Sequence, residues 1–258
     1  MTKQNKDKEK PLQSFESESF IFKHFKTVPS SRIKYLGRRF PCLRIKTLLK
    51  CPLFSKSWVD SSSKSARAPD FHNEKHHLMM DFARVDDCVF EGKAGVNSFA
   101  RASKFMKEHA GKNYKNVLKE KGITLYFVPD TTNDKEFNYL GYLKSFKTVL
   151  MDHSKKVASY HSNYPKCKTC VMFIFDESNP YYQKDTTELH CCFLDKKFIE
   201  IIKECNFDYV VWFTHYKSVY KNGKEIKIPL AYIYDVKHFK ETGKEYDQNK
   251  MAKLKEGC

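Results

Sequence analysis

Two aspartates, Asp70 and Asp81, lie either side of a short polar turn in the stretch from Pro69 to Arg84. Asp70 follows a proline, and Asp81 closes the apolar run Leu78, Met79, Met80. If that run is a strand returning antiparallel to a short one that carries Asp70, the two carboxylates meet at one end of a hairpin. Paired hard oxygen donors of that kind hold a divalent cation. Two acids on a cation in a basic chain are the chemistry of metal-dependent phosphodiester cleavage.

Positioning such a pair needs strands and helices in alternation, and the sequence supplies them. Residues 77–85 form an apolar run of strand length. Asn97 or Ser98 can cap a helix with Phe99, Ala102, Phe105 and Met106 inward, running to Lys121 before Gly122 stops it. A buried strand is then expected over residues 123–128. Asn133 followed by Glu136 makes a capping-box pattern for a helix carrying Leu140, Leu143, Phe146, Val149, Leu150 and Val157. A strand over 170–175 comes next, and then a helix capped by Asp195 with Phe198, Ile201, Ile202 and Cys205 on one face. Strands over 209–214 and 228–234 flank Asn222-Gly223, a hairpin signal. The expected fold class is α/β: a mixed β-sheet flanked by helices, with a C-terminal β-hairpin.

Pro69-Asp70, an apolar strand ending in Asp81, and the expected helix and strand to residue 128 resemble the restriction-endonuclease-like superfamily, the PD-(D/E)xK nucleases, over roughly residues 69–128. The resemblance implies a restriction-endonuclease-like core in which Asp70 and Asp81 bind Mg²⁺. There the ion would activate a water and stabilise charge on the phosphate of DNA or RNA. The family's lysine belongs two residues after the second acid, where this chain has Ala83. Arg84, on the other side of a regular strand, or Lys104, on the following helix, is left to supply the cation near the phosphate. A second placement of the motif uses Asp208 and Asp235 at the base of the C-terminal hairpin. Asp235-Val236-Lys237 keeps the lysine spacing, but only about 20 residues follow it.

Other constellations have blander readings. Asp176-Glu177 closes an apolar strand where α/β folds place ligands, and equally reads as a polar strand exit. Cys167, Cys170, His190, Cys191 and Cys192 have zinc-ligand types, yet they run into apolar strands, so zinc is not expected and small buried hydrophobes explain them. His72, His76 and His77 beside Glu74 read as solvated turn histidines. No glycine-rich phosphate loop or nucleophile elbow is present.

The formal net charge is +16, and residues 1–68 hold sixteen Lys and Arg against five acids. An excess of that size favours an anionic partner, nucleic acid first. Residues 1–14 are polar and charged and read as a disordered basic tail. Residues 15–67 interleave aromatics with basic residues before a serine-rich linker, and residues 68–258 form the expected α/β domain. Such interleaving suits base stacking, and equally suits amphipathic elements packed on a core. Nothing reads as a membrane span, and nine cysteines without a pairing pattern suggest reduced thiols in the cytoplasm. Alternatives to a nuclease are a non-catalytic nucleic-acid-binding protein and an interaction protein with incidental charge. Oligomeric state is not legible.

Overall fold

The structure is a computed structural model. It describes residues 17–61, 69–85, 139–176, 181–182, 189–190, 195–214, 219–221, 224–226 and 230–242. In chain order the elements are α1 (Glu18–Phe25), β1 (Ile33–Leu36), α2 (Arg39–Lys50), α3 (Pro52–Ser55), β2 (Val59–Asp60), β3 (Phe71–Asn73) and β4 (Leu78–Val85). They continue with α4 (Tyr139–Ser154), α5 (Val157–Asn163), β5 (Thr169–Asp176), β6 (Tyr181–Tyr182), β7 (Leu189–His190) and α6 (Lys196–Glu204). The last are β8 (Tyr209–Phe213), β9 (Val219–Lys221), β10 (Lys224–Ile226), β11 (Ala231–Asp235) and α7 (Val236–Thr242).

One mixed seven-stranded sheet organises the chain, in the order β1-β11-β8-β5-β4-β3-β2. Its centre is parallel: β4 pairs with β5, and β5 with β8. Towards one edge β3 and β2 run antiparallel in turn. Towards the other, β11 is antiparallel to β8 and β1 is parallel to β11. Val171 to Phe175 of β5 are all fully buried, because a central parallel strand is covered on both faces.

Alternation along the strands sorts side chains into two cores. Met79, Ala83, Cys170, Met172, Val210 and Trp212 face the layer containing α4, α5 and α6. Leu78, Met80, Phe82, Phe173 and Val211 face the layer of α1 and α2. The aromatic-basic segment therefore packs on the sheet: Ile21, Phe22, Phe25, Ile45 and Leu49 are core residues, and β1 is an edge strand.

The expected helix over 98–121, the strand over 123–128 and the cap at Asn133 lie outside the described residues. The parallel neighbour of β4 is β5. The helix carrying Leu143, Phe146 and Leu150 ends at Ser154, and Val157 opens a separate one. Asp195 caps α6 as its sequence indicates, its carboxylate accepting the Lys197 amide at 2.7 Å. The β8 and β11 strands pair antiparallel, with the small β9–β10 ladder between them in sequence.

Candidate active site

Asp70 immediately precedes β3, and the register that sets Phe71 opposite Met80 sets Asp70 directly opposite Asp81. Opposed residues of an antiparallel pair share a face. Here it is the face of Met79 and Ala83, roofed by α4 and α5. The two carboxyl groups are in hydrogen-bonding contact with each other.

Asp81 is 2% exposed on an interior strand, where an unpartnered charge would be costly. Its Oδ2 accepts the Tyr160 hydroxyl of α5 at 2.7 Å and lies 2.6 Å from Nδ1 of His153 in the last turn of α4. Asp70 is half-buried, and its Oδ2 accepts the Phe82 amide at 2.6 Å, beyond the end of β3.

These surroundings split the pair. Burial, then the negative charges of Asp81 and Glu18, push the Asp70 carboxyl up to about 8. Burial works on Asp81 in the same direction, but the hydrogen bonds and charge of His153, with those from Asp70 and Tyr160, outweigh it and hold Asp81 below its usual range. The pair near neutrality is thus one carboxylate and one carboxylic acid sharing a proton. Burial and the adjacent Asp81 charge push the Tyr160 hydroxyl up, which keeps it neutral and donating. Against an ionised Asp81, Nδ1 of His153 is the hydrogen-bearing nitrogen.

Glu18, the first residue of α1, belongs to the same neighbourhood. Burial raises its carboxyl, Arg84 lowers it, and Asp81 and Asp60 raise it further, for a net upward shift. Glu18 is thus near enough to feel the charges of Asp81 and Asp60 and to push Asp70 up in turn.

Among the described residues, no three His, Cys, Asp or Glu side chains are close enough together to hold a metal ion. Mg²⁺ does not need three. It takes one or two carboxylates and fills the rest of its octahedron with water and substrate phosphate. The donor chemistry of Asp70 and Asp81 fits it: both are hard oxygen donors, and of the causes that push Asp70 up, burial first and then the charges of Asp81 and Glu18, the charges are ones a cation would compensate.

Other expected residues fall elsewhere. Arg84 lies three residues beyond Asp81 and so on the opposite face, where its charge acts on Glu18. Lys104 is outside the described residues. Asp208 and Asp235 do not converge: Tyr209, not Asp208, is opposite Asp235, so the acids occupy opposite faces. Asp235 is fully buried in a two-pronged ion pair with Arg38, at 2.8 and 3.1 Å. Asp208 Oδ2 accepts the Cys170 amide at 2.8 Å. Lys237 is in the first turn of α7, past the end of β11.

Asp176 is beyond reach of the pair, because Met172 is the β5 residue beside Asp81 and four further residues span roughly 13 Å. Cys167 and Cys170 are buried thiols that burial pushes up, away from thiolate, while Cys191 and Cys192 lie outside the described residues. His72 corrects the solvated-turn reading: it is 9% exposed on β3, with Nδ1 3.3 Å from Ser61 Oγ and its ring against Tyr164. His76 and His77 do form the turn, His77 with φ of 59°.

Sequence reasoning missed His153, Tyr160 and Glu18. His153 continues the inward series Phe146, Leu150 at helical spacing, a polar residue where an apolar one is expected, and Tyr160 follows Val157 in the same way. Glu18 carries no such mark, since an acid in a first turn normally just complements the helix dipole. No helix among the described residues is long and apolar enough to cross a membrane. No protein-family model, curated protein or solved structure matches the chain.

Proposed function

We propose that the protein is a divalent-cation-dependent nuclease with a restriction-endonuclease-like core, cutting DNA or RNA at Asp70 and Asp81. The observation that carries the reading is the direct opposition of two carboxyls, Asp81 buried and Asp70 half-buried, the latter pushed up to about 8 by its surroundings. The order of the described elements around them supports it: β2, β3 and β4 antiparallel, then, among the described residues, two helices before β5, which is parallel to β4.

Asp70 and Asp81 would hold Mg²⁺, which when bound supplies water activation and charge neutralisation at the phosphate. Tyr160 and His153 keep the Asp81 carboxylate ionised and fix its orientation, as partners of a metal ligand do. Ala83 leaves the lysine position without a cation, so His153, on the correct face and already against Asp81, is the described group best placed to take up a proton. Glu18 adds negative charge at the rim.

A non-catalytic nucleic-acid-binding protein is the second reading, favoured by Ala83. Incubation of plasmid and oligonucleotides with Mg²⁺ or Mn²⁺, against EDTA, separates the two. The nuclease reading predicts cleavage that needs the cation and stops in Asp81→Asn while circular dichroism stays native. Cutting that persists in EDTA, or in that variant, excludes the site; no cutting by the wild type favours the second reading.

A further inference from the structure

Between Glu18 and Asp60 the chain contains ten Lys and Arg and no acid. The described structure covers that whole stretch, and α2 carries four of the ten, Arg39, Arg44, Lys46 and Lys50. Phe40 and Arg44 are one helical turn apart on α2 and therefore share a face. Phe40 is 82% exposed, the kind of large apolar side chain that folding normally covers. It borders a cleft of about 450 Å³, together with Arg44, Ile45 and Tyr209. The floor is the start of the parallel strands, at Leu78 and Thr169.

We infer that this cleft is a binding site for single-stranded nucleic acid, with a base stacked on Phe40 and the adjoining phosphate held by Arg44. An exposed aromatic wall beside a guanidinium is what an unstacked base meets in a single-strand site, where the flat ring takes any base and the cations follow the backbone. A duplex offers no free base face to Phe40. A bilayer would select a broad apolar face, whereas Phe40 is the one exposed aromatic of a cleft that Arg44, Thr169 and Tyr209 also line. Tyr209 contributes a hydroxyl that burial and the Asp235 charge push up to about 12, so it stays a donor. Lys46 and Lys50, further along α2, are turned to backbone, Lys46 Nζ donating to the Ser30 and Ile33 carbonyls and Lys50 Nζ to the Val28 carbonyl, so Arg44 is the cation of α2 that lines the cleft.

The site is separate from the two aspartates, because Leu78 and Asp81 point to opposite faces of β4. It therefore holds whether or not the protein cleaves anything, and it can be tested in EDTA. Fluorescence anisotropy with labelled oligothymidylate, oligouridylate and a duplex of the same length is the measurement, with anionic lipid vesicles as a further arm. Single strands should bind more tightly than the duplex or the vesicles. Phe40→Ala should weaken single-strand binding about five-fold or more, and Phe40→Trp should retain it. Arg44→Ala should weaken binding and reduce its dependence on log salt by about 0.7. Lys147→Ala, an exposed charge paired with Glu204 on α6, should change neither. Phe40 is at the surface, so circular dichroism of its variants should stay native. Unchanged affinity in Phe40→Ala, tighter binding to the duplex, or binding to vesicles alone would overturn the assignment.

Discussion

Two pairs of aspartates lie near each other on antiparallel strands of this sheet, and a shift of one residue gives them opposite fates. Asp70 is opposite Asp81, so both carboxyls share one face and push on each other. At the other side of the sheet, Tyr209 is opposite Asp235, so Asp208 falls one position out and points away. Each acid of that second pair has a structural partner instead: the Arg38 guanidinium for Asp235, and the Cys170 amide for Asp208. Because side chains alternate with period two, register alone separates a shared site from two unrelated tethers.

The largest expected effects contrast the two pairs through activity. Asp70→Asn and Asp81→Asn should each lower metal-dependent cleavage by about 10²-fold or more, measured on a labelled oligonucleotide. Asp235→Asn should leave the cleavage rate within about two-fold of wild type, since it touches neither the cation nor the face that holds it. Equal losses at Asp81 and Asp235 would remove the distinction.

Stability, unlike activity, should not separate the two regions. Asp235→Asn leaves a 40% exposed Arg38 without its buried carboxylate, and should cost about 1–3 kcal/mol in urea unfolding. Tyr160→Phe removes one hydrogen bond to an ionised, buried Asp81 and should cost a similar amount, about 1–3 kcal/mol. The difference between the regions is then read by metal. Mg²⁺ should raise the Tm of wild type and of Asp235→Asn, and EDTA should return both to the metal-free value, whereas Asp70→Asn should show no shift.

The last contrast is in the pH dependence of stability. Asp70 has an ordinary carboxyl value of 3.8 in the unfolded chain and about 8 in the folded one. From pH about 4 to about 8 the folded protein therefore holds a proton the unfolded chain has lost, so stability falls as pH rises through that window. Asp70→Asn should flatten that fall, with its largest gain over wild type near pH 8. Asp81 has the opposite sign: its lowered value contributes stability above about pH 4 that is lost as pH falls further. Thermal melts in the absence of metal, across this range, measure both.

Much of the fold was legible in the sequence for local reasons. The apolar run of β5, the Asp195 cap of α6 and the outline of a mixed sheet follow from periodicity and capping chemistry alone. The meeting of Asp70 and Asp81 was also legible, because a tight polar turn fixes register over so few residues. The Asp208–Asp235 expectation failed because 26 residues separate those acids, with β9 and β10 between the paired strands, and Asn222-Gly223 does not fix their register. His153 and Tyr160 depend on how α4 and α5 dock on the sheet, and Arg38 reaches an acid 197 residues away. No local pattern encodes such pairings. The role of β1 as an edge strand beside β11 was hidden in the same way.

Mn²⁺ binding followed by electron paramagnetic resonance tests the central claim most directly, because it reads the ion without requiring a substrate. One Mn²⁺ should bind per wild-type chain and per Asp235→Asn chain, compete with Mg²⁺, and be lost in Asp70→Asn. A wild-type chain that binds no ion, or an Asp70→Asn chain that binds it as well as wild type, would contradict the account.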